Sequence, residues 1–298
     1  MTSYIKNEES VALKLRWISV QCYELKLPTG KVIVTDPFYL DQSYYDTHPG
    51  NEKEKKVYGS KDFSVDDFTG ADYMILNHVH ADHCNLVGKL WEKFHGRVLV
   101  PGPCALEIAK TFNIPPQAVY PIYPGNTYYF DDFTLKVYPG AHDVRGFREG
   151  RFNRFSDEMK VCNMMDMPEG INELMPLGSI YNFNFMLTTL QNFKIDFSAG
   201  RDFEGHARNI MEDSPNVLLR HRIRTYTPEE YAAQLERIGA QYILPLHHNN
   251  ARASDEDLNV YMEKTNAILR KHGSPARAFN PEPYKWFKIY TGICMDAE

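Results

Sequence analysis

The stretch "MILNHVHADHCN", residues 74–85, places four side chains of metal-binding types within six positions. They are His78, His80, Asp82 and His83. A short apolar run at 73–76 precedes them and predicts a buried strand that ends just before the first histidine. His78 and His80 are two residues apart, so in an extended chain both side chains point to the same side. The other two lie past the strand end and can turn toward a second point.

This residue set predicts a site for two metal ions. Imidazole suits zinc, iron, nickel and copper, and a carboxylate extends the range toward manganese. Four ligands in six residues exceed what one open catalytic site needs, whereas they suit two metals a few ångströms apart. A single histidine at a strand end is usually an ordinary core or surface residue, but four such residues in this pattern rarely occur by chance.

A binuclear site needs further ligands, and the sequence has candidates at the ends of other predicted strands. His142 follows "LKVYPGA", Asp202 follows "FKIDFSAGR", and His247 and His248 follow "QYILPL". Isolated histidines would not be expected to repeat this placement. We therefore expect these strand ends to converge on the motif.

The secondary-structure pattern indicates two sheets with helices outside. "LKLRW", "CYELKL" and "KVIVTDP" predict consecutive strands of an antiparallel sheet. In "TPEEYAAQLERIGA", Thr227 is the predicted N-cap, Glu230 completes a capping box and Gly239 ends the helix. A second helix is predicted after Ser254, which we expect to be its N-cap. Strands followed by a helix occur twice, which is compatible with two sheets packed face to face.

Length and composition favour a globular cytoplasmic protein. The chain has 298 residues, 43% of them apolar, with a net charge of −6 and five scattered cysteines. We expect a single domain over 1–298, with loop insertions at 41–70 and 143–178 and a C-terminal helix and strand within 254–298. There is no long basic run and no apolar run of membrane-spanning length, and "MTSYIKNEES" resembles no signal peptide. Nucleic acid and membrane partners are not expected, while a homo-oligomer is compatible with the sequence.

The motif and its surroundings resemble the metallo-β-lactamase superfamily, from about "LRWIS" to "PLHHNN". Within it, "VPGPCALEIAKTFNIPPQAVYPIYPGNT" and "LPLHHNN" are most similar to the L-ascorbate-6-phosphate lactonase-like branch. The resemblance implies an α+β fold, an αββα sandwich of two mixed β-sheets with helices on the outer faces and the metals at one edge. It also implies a metal-dependent hydrolase in which a metal-activated water cleaves a small, anionic ester or lactone. That branch tends to replace the third histidine, whereas His142 keeps the wider superfamily pattern.

The resemblance also assigns ligands by position. It implies one metal held by His78, His80 and His142 and another held by Asp82, His83 and His247, with zinc expected and manganese or iron as alternatives. Asp82 and His247 are the expected catalytic residues. The family's bridging aspartate directly follows a glycine, but here the sequence is "AGRD", with Arg201 in that place and Asp202 one later. Either a one-residue bulge brings Asp202 to the metals or the bridge is absent; Asp196 is a poorer candidate.

Several roles stay open at the level of sequence. Asp36 either supports the metal site or caps a turn. The arginines after His142, beginning with Arg145 and Arg148, either bind an anionic substrate together with His248 or lie on a solvated loop. Arg220, Arg222 and Arg224 are predicted on the exposed side of a strand. The alternative functions are a phosphodiesterase or nuclease of the same fold and a non-catalytic or redox metal-binding protein.

Overall fold

The computed structural model describes residues 11–39, 63–142, 177–178, 180–198, 203–222, 226–247 and 257–291. Their strands, numbered along the chain, form two sheets of seven strands each. The first sheet contains β1 (Val11–Ser19), β2 (Cys22–Lys26), β3 (Val32–Thr35), β4 (Tyr73–Ile75), β5 (Arg97–Pro101), β6 (Val119–Ile122) and β14 (Phe287–Tyr290). The second contains β7 (Thr127–Tyr129), β8 (Phe133–Pro139), β9 (Phe183–Thr189), β10 (Lys194–Ser198), β11 (Val217–His221), β12 (Tyr242–Leu246) and β13 (Arg277–Ala278).

Both sheets are mixed. In the order β14-β1-β2-β3-β4-β5-β6, the first four strands pair antiparallel, as predicted for β1 to β3, and the rest pair parallel. In the order β13-β12-β11-β10-β9-β8-β7, strands β10 to β13 are parallel and β7 to β10 antiparallel. Parallel neighbours end at the same edge of a sheet, so residues that follow them are brought near one another.

Six helices have bounds within the described residues: α1 (Ala81–Cys84), α2 (Val87–Phe94), α3 (Ala105–Thr111), α4 (Phe203–Ile210), α5 (Pro228–Ile238) and α6 (Leu258–Lys271). Side chains cap the N-termini of α5 and α6. The capping box of Thr227 and Glu230 is confirmed, and Gly239 ends α5 with φ 77°. The prediction of Ser254 as the N-cap of α6 was wrong. Asp257 takes that role, because its Oδ1 accepts from the N–H of Asn259 at 2.7 Å.

Three apolar layers confirm the predicted αββα sandwich. One lies between the sheets, and each of the others lies between a sheet and its helices. Strand alternation sends neighbouring side chains to different layers: Met74 faces the helices of the first sheet, whereas Ile75 faces the second sheet. In the second sheet, Leu218 faces the helices and Leu219 faces the first sheet. Part of the predicted 41–70 loop joins this packing, since Phe63 and Phe68 are buried.

A buried ion cluster joins α4 to the second sheet. Arg220 Nη1 lies 2.5 Å from Asp196 Oδ2, and His206 Nε2 lies 2.9 Å from the same oxygen. Burial raises the pKa of Asp196, but His206 and Arg220 outweigh it and hold the pKa below its usual value. The prediction that Arg220 and Arg222 lie on an exposed face was wrong, because both are buried. The Asp196 carboxylate therefore pairs with His206 and Arg220 and not with residues of the metal motif.

Among the described residues, no helix combines the length and the apolar character needed to cross a membrane.

Candidate metal centre

Side chains from both sheets meet beyond the strand ends of the motif. After β4, the chain places His78 and His80 before the short helix α1, which carries Asp82 and His83. From the second sheet, His142 follows β8 and His247 directly follows β12. Residues that are far apart in sequence are thus brought together by the two sheet edges.

The first group consists of His78, His80 and His142. One nitrogen from each ring lies within 4.8 Å of the others. His78 Nε2 lies 3.2 Å from His80 Nδ1, and the His142 ring centre lies 4.5 Å from that of His80. His78 and His80 are buried, and His142 is partly exposed. We call this group cluster 1.

The second group, cluster 2, consists of Asp82, His83 and His247, whose ligand atoms also lie within 4.8 Å of one another. His83 Nε2 lies 3.2 Å from His247 Nε2, and the latter lies 3.7 Å from Asp82 Oδ2. The side chain of Asp82 is 26% exposed, so solvent reaches this residue of the site. The rings of His78 and His83 are only 3.6 Å apart at their centres, so the two clusters adjoin.

The donor geometry fits divalent metal ions. Two imidazole nitrogens bound tetrahedrally to one zinc at about 2.0–2.1 Å are about 3.3 Å apart. Each cluster contains a nitrogen pair at 3.2 Å. Burial, together with the neighbouring histidines, holds the pKa of His78 and of His83 well below the usual value. Their rings are therefore neutral at pH 7, the form in which imidazole binds a metal.

Polar groups behind the histidines orient them. Asp36 Oδ2 lies 3.1 Å from His83 Nδ1, so the opposite nitrogen of that ring points to cluster 2. Asp36 Oδ1 accepts from the N–H of Asn77 at 2.7 Å, which holds the carboxylate in place. Of the two roles open for Asp36, the structure thus supports the one at the site. Gln21 donates from its side chain to the carbonyl of Asp82 and secures the start of α1.

The structure describes six of the predicted site residues and brings all six together. The others, Asp202, Arg145, Arg148 and His248, lie outside the described residues. One neighbour escaped sequence reasoning: His221, buried at the end of β11, stacks on His247 with ring centres 4.3 Å apart. Its position directly after "NVLLR" is the same strand-end signal that identified the other histidines.

Comparison with known proteins identifies the family of this chain. A family model described as "Beta-lactamase superfamily domain" matches residues 14–176, more than half of the chain. The chain belongs to the beta-lactamase superfamily. The matched range includes most of β1, all of β2 to β8 and five of the six side chains in the two clusters. Membership in the metallo-β-lactamase superfamily, inferred from the motif, is confirmed.

Solved structures share the fold at low sequence identity. Igni18, a metallo hydrolase from Ignicoccus hospitalis, superposes with a TM-score of 0.61 at 12% identity, over 94% of this chain and 99% of that one. A protein from Veillonella parvula described as a possible metal-dependent hydrolase gives a TM-score of 0.63 at 12% identity, over 94% and 100%. Isothiocyanate hydrolase from Delia radicum gut bacteria gives 0.59 at 12% identity, over 93% and 99%. None of the curated proteins matches the chain.

Proposed function

We propose that this protein is a metal-dependent hydrolase with two divalent metal ions, one in each cluster. The observation that carries the proposal is the pair of adjoining three-ligand clusters, each with a nitrogen pair at 3.2 Å. His78, His80 and His142 would hold one metal, and Asp82, His83 and His247 the other. Such metals supply an activated water and positive charge that stabilises a developing oxyanion. The hydrolases named among the fold neighbours are consistent with this chemistry.

The protein's own groups have distinct roles in this proposal. Asp82 is the partly exposed carboxylate of the site, so it can accept a hydrogen bond from the attacking water at Oδ1 or Oδ2. His247 lies 3.7 Å from that carboxylate and would bind the same metal. The stacked ring of His221 restricts rotation of His247. Buried Asp36 keeps His83 directed to the same centre.

We propose a small, anionic ester or lactone as the substrate, as in the lactonase-like branch. The proposed anion contacts are three basic residues that follow predicted ligands closely in sequence: Arg145, Arg148 and His248. Guanidinium matches a phosphate or carboxylate in a bidentate geometry, which supports their assignment. Zinc is the proposed metal because histidine-rich donor sets suit it, with manganese and iron as alternatives.

The carboxylate that would bridge the two metals is proposed to be Asp202. Two divalent ions a few ångströms apart repel each other, and an anion between them offsets this repulsion. Gly200 before Arg201 makes a one-residue bulge in the backbone inexpensive. Asp196 does not compete for this role in the described structure, because Arg220 and His206 engage it.

Metal analysis combined with a substrate panel tests the proposal. Protein purified without added metal should contain about two transition-metal ions per chain. The panel should contain phosphorylated and neutral lactones, phosphodiesters, thioesters and an isothiocyanate. Preference for the phosphorylated over the neutral lactone would support anion recognition, while preference for a phosphodiester would replace the lactone assignment. Folded protein that binds no metal from added zinc, manganese or iron would refute the proposal.

A further inference from the structure

Asn77 lies where the two sheets meet, directly before His78. Its side chain is buried, and its main-chain carbonyl accepts from the N–H of Phe183 at 2.9 Å. Its side-chain Nδ2 donates to the carbonyl of Phe183 as well. These two contacts tie the end of β4 to the start of β9. Because Nδ2 faces an oxygen that can only accept, the orientation of the Asn77 amide is determined, and Oδ1 must face the opposite way.

That oxygen faces the first ligand of cluster 1. Asn77 Oδ1 lies 3.1 Å from His78 Nδ1. Asn182 donates from Nδ2 to the same oxygen at 3.1 Å, and it also lies 3.1 Å from His78 Nδ1. Asn182 is 4% exposed and directly precedes β9, so the second sheet holds the amide of Asn77 in place.

The two asparagine amides fix the orientation of the ring. His78 Nδ1 lies 3.1 Å from both Asn77 Oδ1 and Asn182 Nδ2, so this side of the imidazole is held by the amides and the opposite nitrogen, Nε2, points away from them. Nε2 is the atom that lies 3.2 Å from His80 Nδ1 and faces cluster 1.

We propose that Asn77, clamped by Asn182, is a positioning residue for cluster 1 that orients His78 so that Nε2 faces the metal. This inference rests on the proposed function, since it assigns His78 to a metal. The main chain of Asn77 serves the other cluster, because its N–H holds Asp36, which contacts His83. Substitution of the Asn77 side chain should therefore affect cluster 1 and leave cluster 2 intact.

The experiment compares Asn77→Ala and Asn182→Ala with Asn184→Ala as the matched control. Asn184 is a buried asparagine of the same segment, 2% exposed, whose amide donates to the carbonyl of Pro139 at 3.3 Å. Zinc affinity is measured by titrating metal-free protein against a competing chelator. The absorption spectrum of the cobalt-loaded protein reports the coordination at each metal. Thermal unfolding shows whether each variant is folded.

The expected result is selective weakening of one metal. Asn77→Ala and Asn182→Ala should each weaken one zinc equivalent by about 10- to 100-fold and change its cobalt spectrum. The second equivalent should keep its affinity, and the control should keep both. Asp36→Asn should instead weaken the other equivalent. Asn182→Ala decides the question if Asn77→Ala does not fold.

Three outcomes would overturn the proposal. If the wild type binds two zinc ions and both asparagine variants bind them equally well, the positioning role is refuted and the proposed function stands. Equal weakening of both equivalents would also refute it, because that pattern indicates a general loss of structure. If the folded wild type binds no zinc, the proposed function and this inference fail together.

Discussion

Substitution of Gly178 by alanine should displace a ligand of cluster 1. Gly178 has helical backbone and lies against His80. A Cβ at this position would lie 2.5 Å from His80 Cδ2 and 2.9 Å from its main-chain nitrogen. Because one of these atoms belongs to the backbone, rotation of the imidazole alone cannot remove the clash.

The structure gives the size of the displacement. Ordinary contact of a Cβ begins at 3.4 Å, so His80 Cδ2 must move by about 0.9 Å and the main-chain nitrogen of His80 by about 0.5 Å. Metal–ligand distances tolerate only about 0.2 Å of change. We therefore expect Gly178→Ala to weaken one zinc equivalent by about 10- to 100-fold, the range seen when a ligand's support is lost. Helix propensity would act in the opposite direction, since alanine is favoured over glycine by about 1 kcal/mol.

Chelator-competition titration of metal-free protein measures this effect, with thermal unfolding recorded in parallel. The matched control is Gly102→Ala, whose Cβ would lie 2.1 Å from Cζ of the exposed Tyr123 ring. This control introduces a clash without a histidine, so both zinc equivalents should keep their affinity. If Gly178→Ala binds both zinc ions as tightly as the wild type, the close packing against His80 does not control the metal site.

The remaining predictions concern catalysis, the bridge and stability. His80→Ala and His247→Ala should each abolish turnover while circular dichroism stays unchanged, because both residues lie past strand ends; near-normal kcat with metal bound would contradict the ligand assignment. Asp202→Asn should weaken one metal far more than the other and slow catalysis sharply, whereas normal binding of both metals would exclude it as the bridge. Arg220→Met should lower the free energy of unfolding by about 3–5 kcal/mol in urea, because it leaves a buried carboxylate without its cation. The exposed Lys285→Met is the control and should cost less than about 1 kcal/mol; equal effects would contradict the role of burial.

The sequence alone determined the features that depend on near neighbours. The motif histidines, the alternation of β1 and β2, and the capping box at Thr227 involve residues within a few positions of one another, so the chain shows them directly. Strand-end placement also identified His142 and His247 as candidates. Their assignment to particular clusters came from the family resemblance, because spacing along the chain does not tell which strand ends meet.

Only the tertiary structure decided which polar groups contact and orient those ligands. Asp36 is 47 positions from His83, and Asn182 is 104 positions from His78, so their contacts exist only once the sheets have paired and packed. Alternation placed Arg220 and Arg222 on one face of the predicted strand, but it could not show that this face is covered. The reason is physical: local pattern sets the direction of a side chain, whereas its burial and its partners depend on what other parts of the chain bring against it.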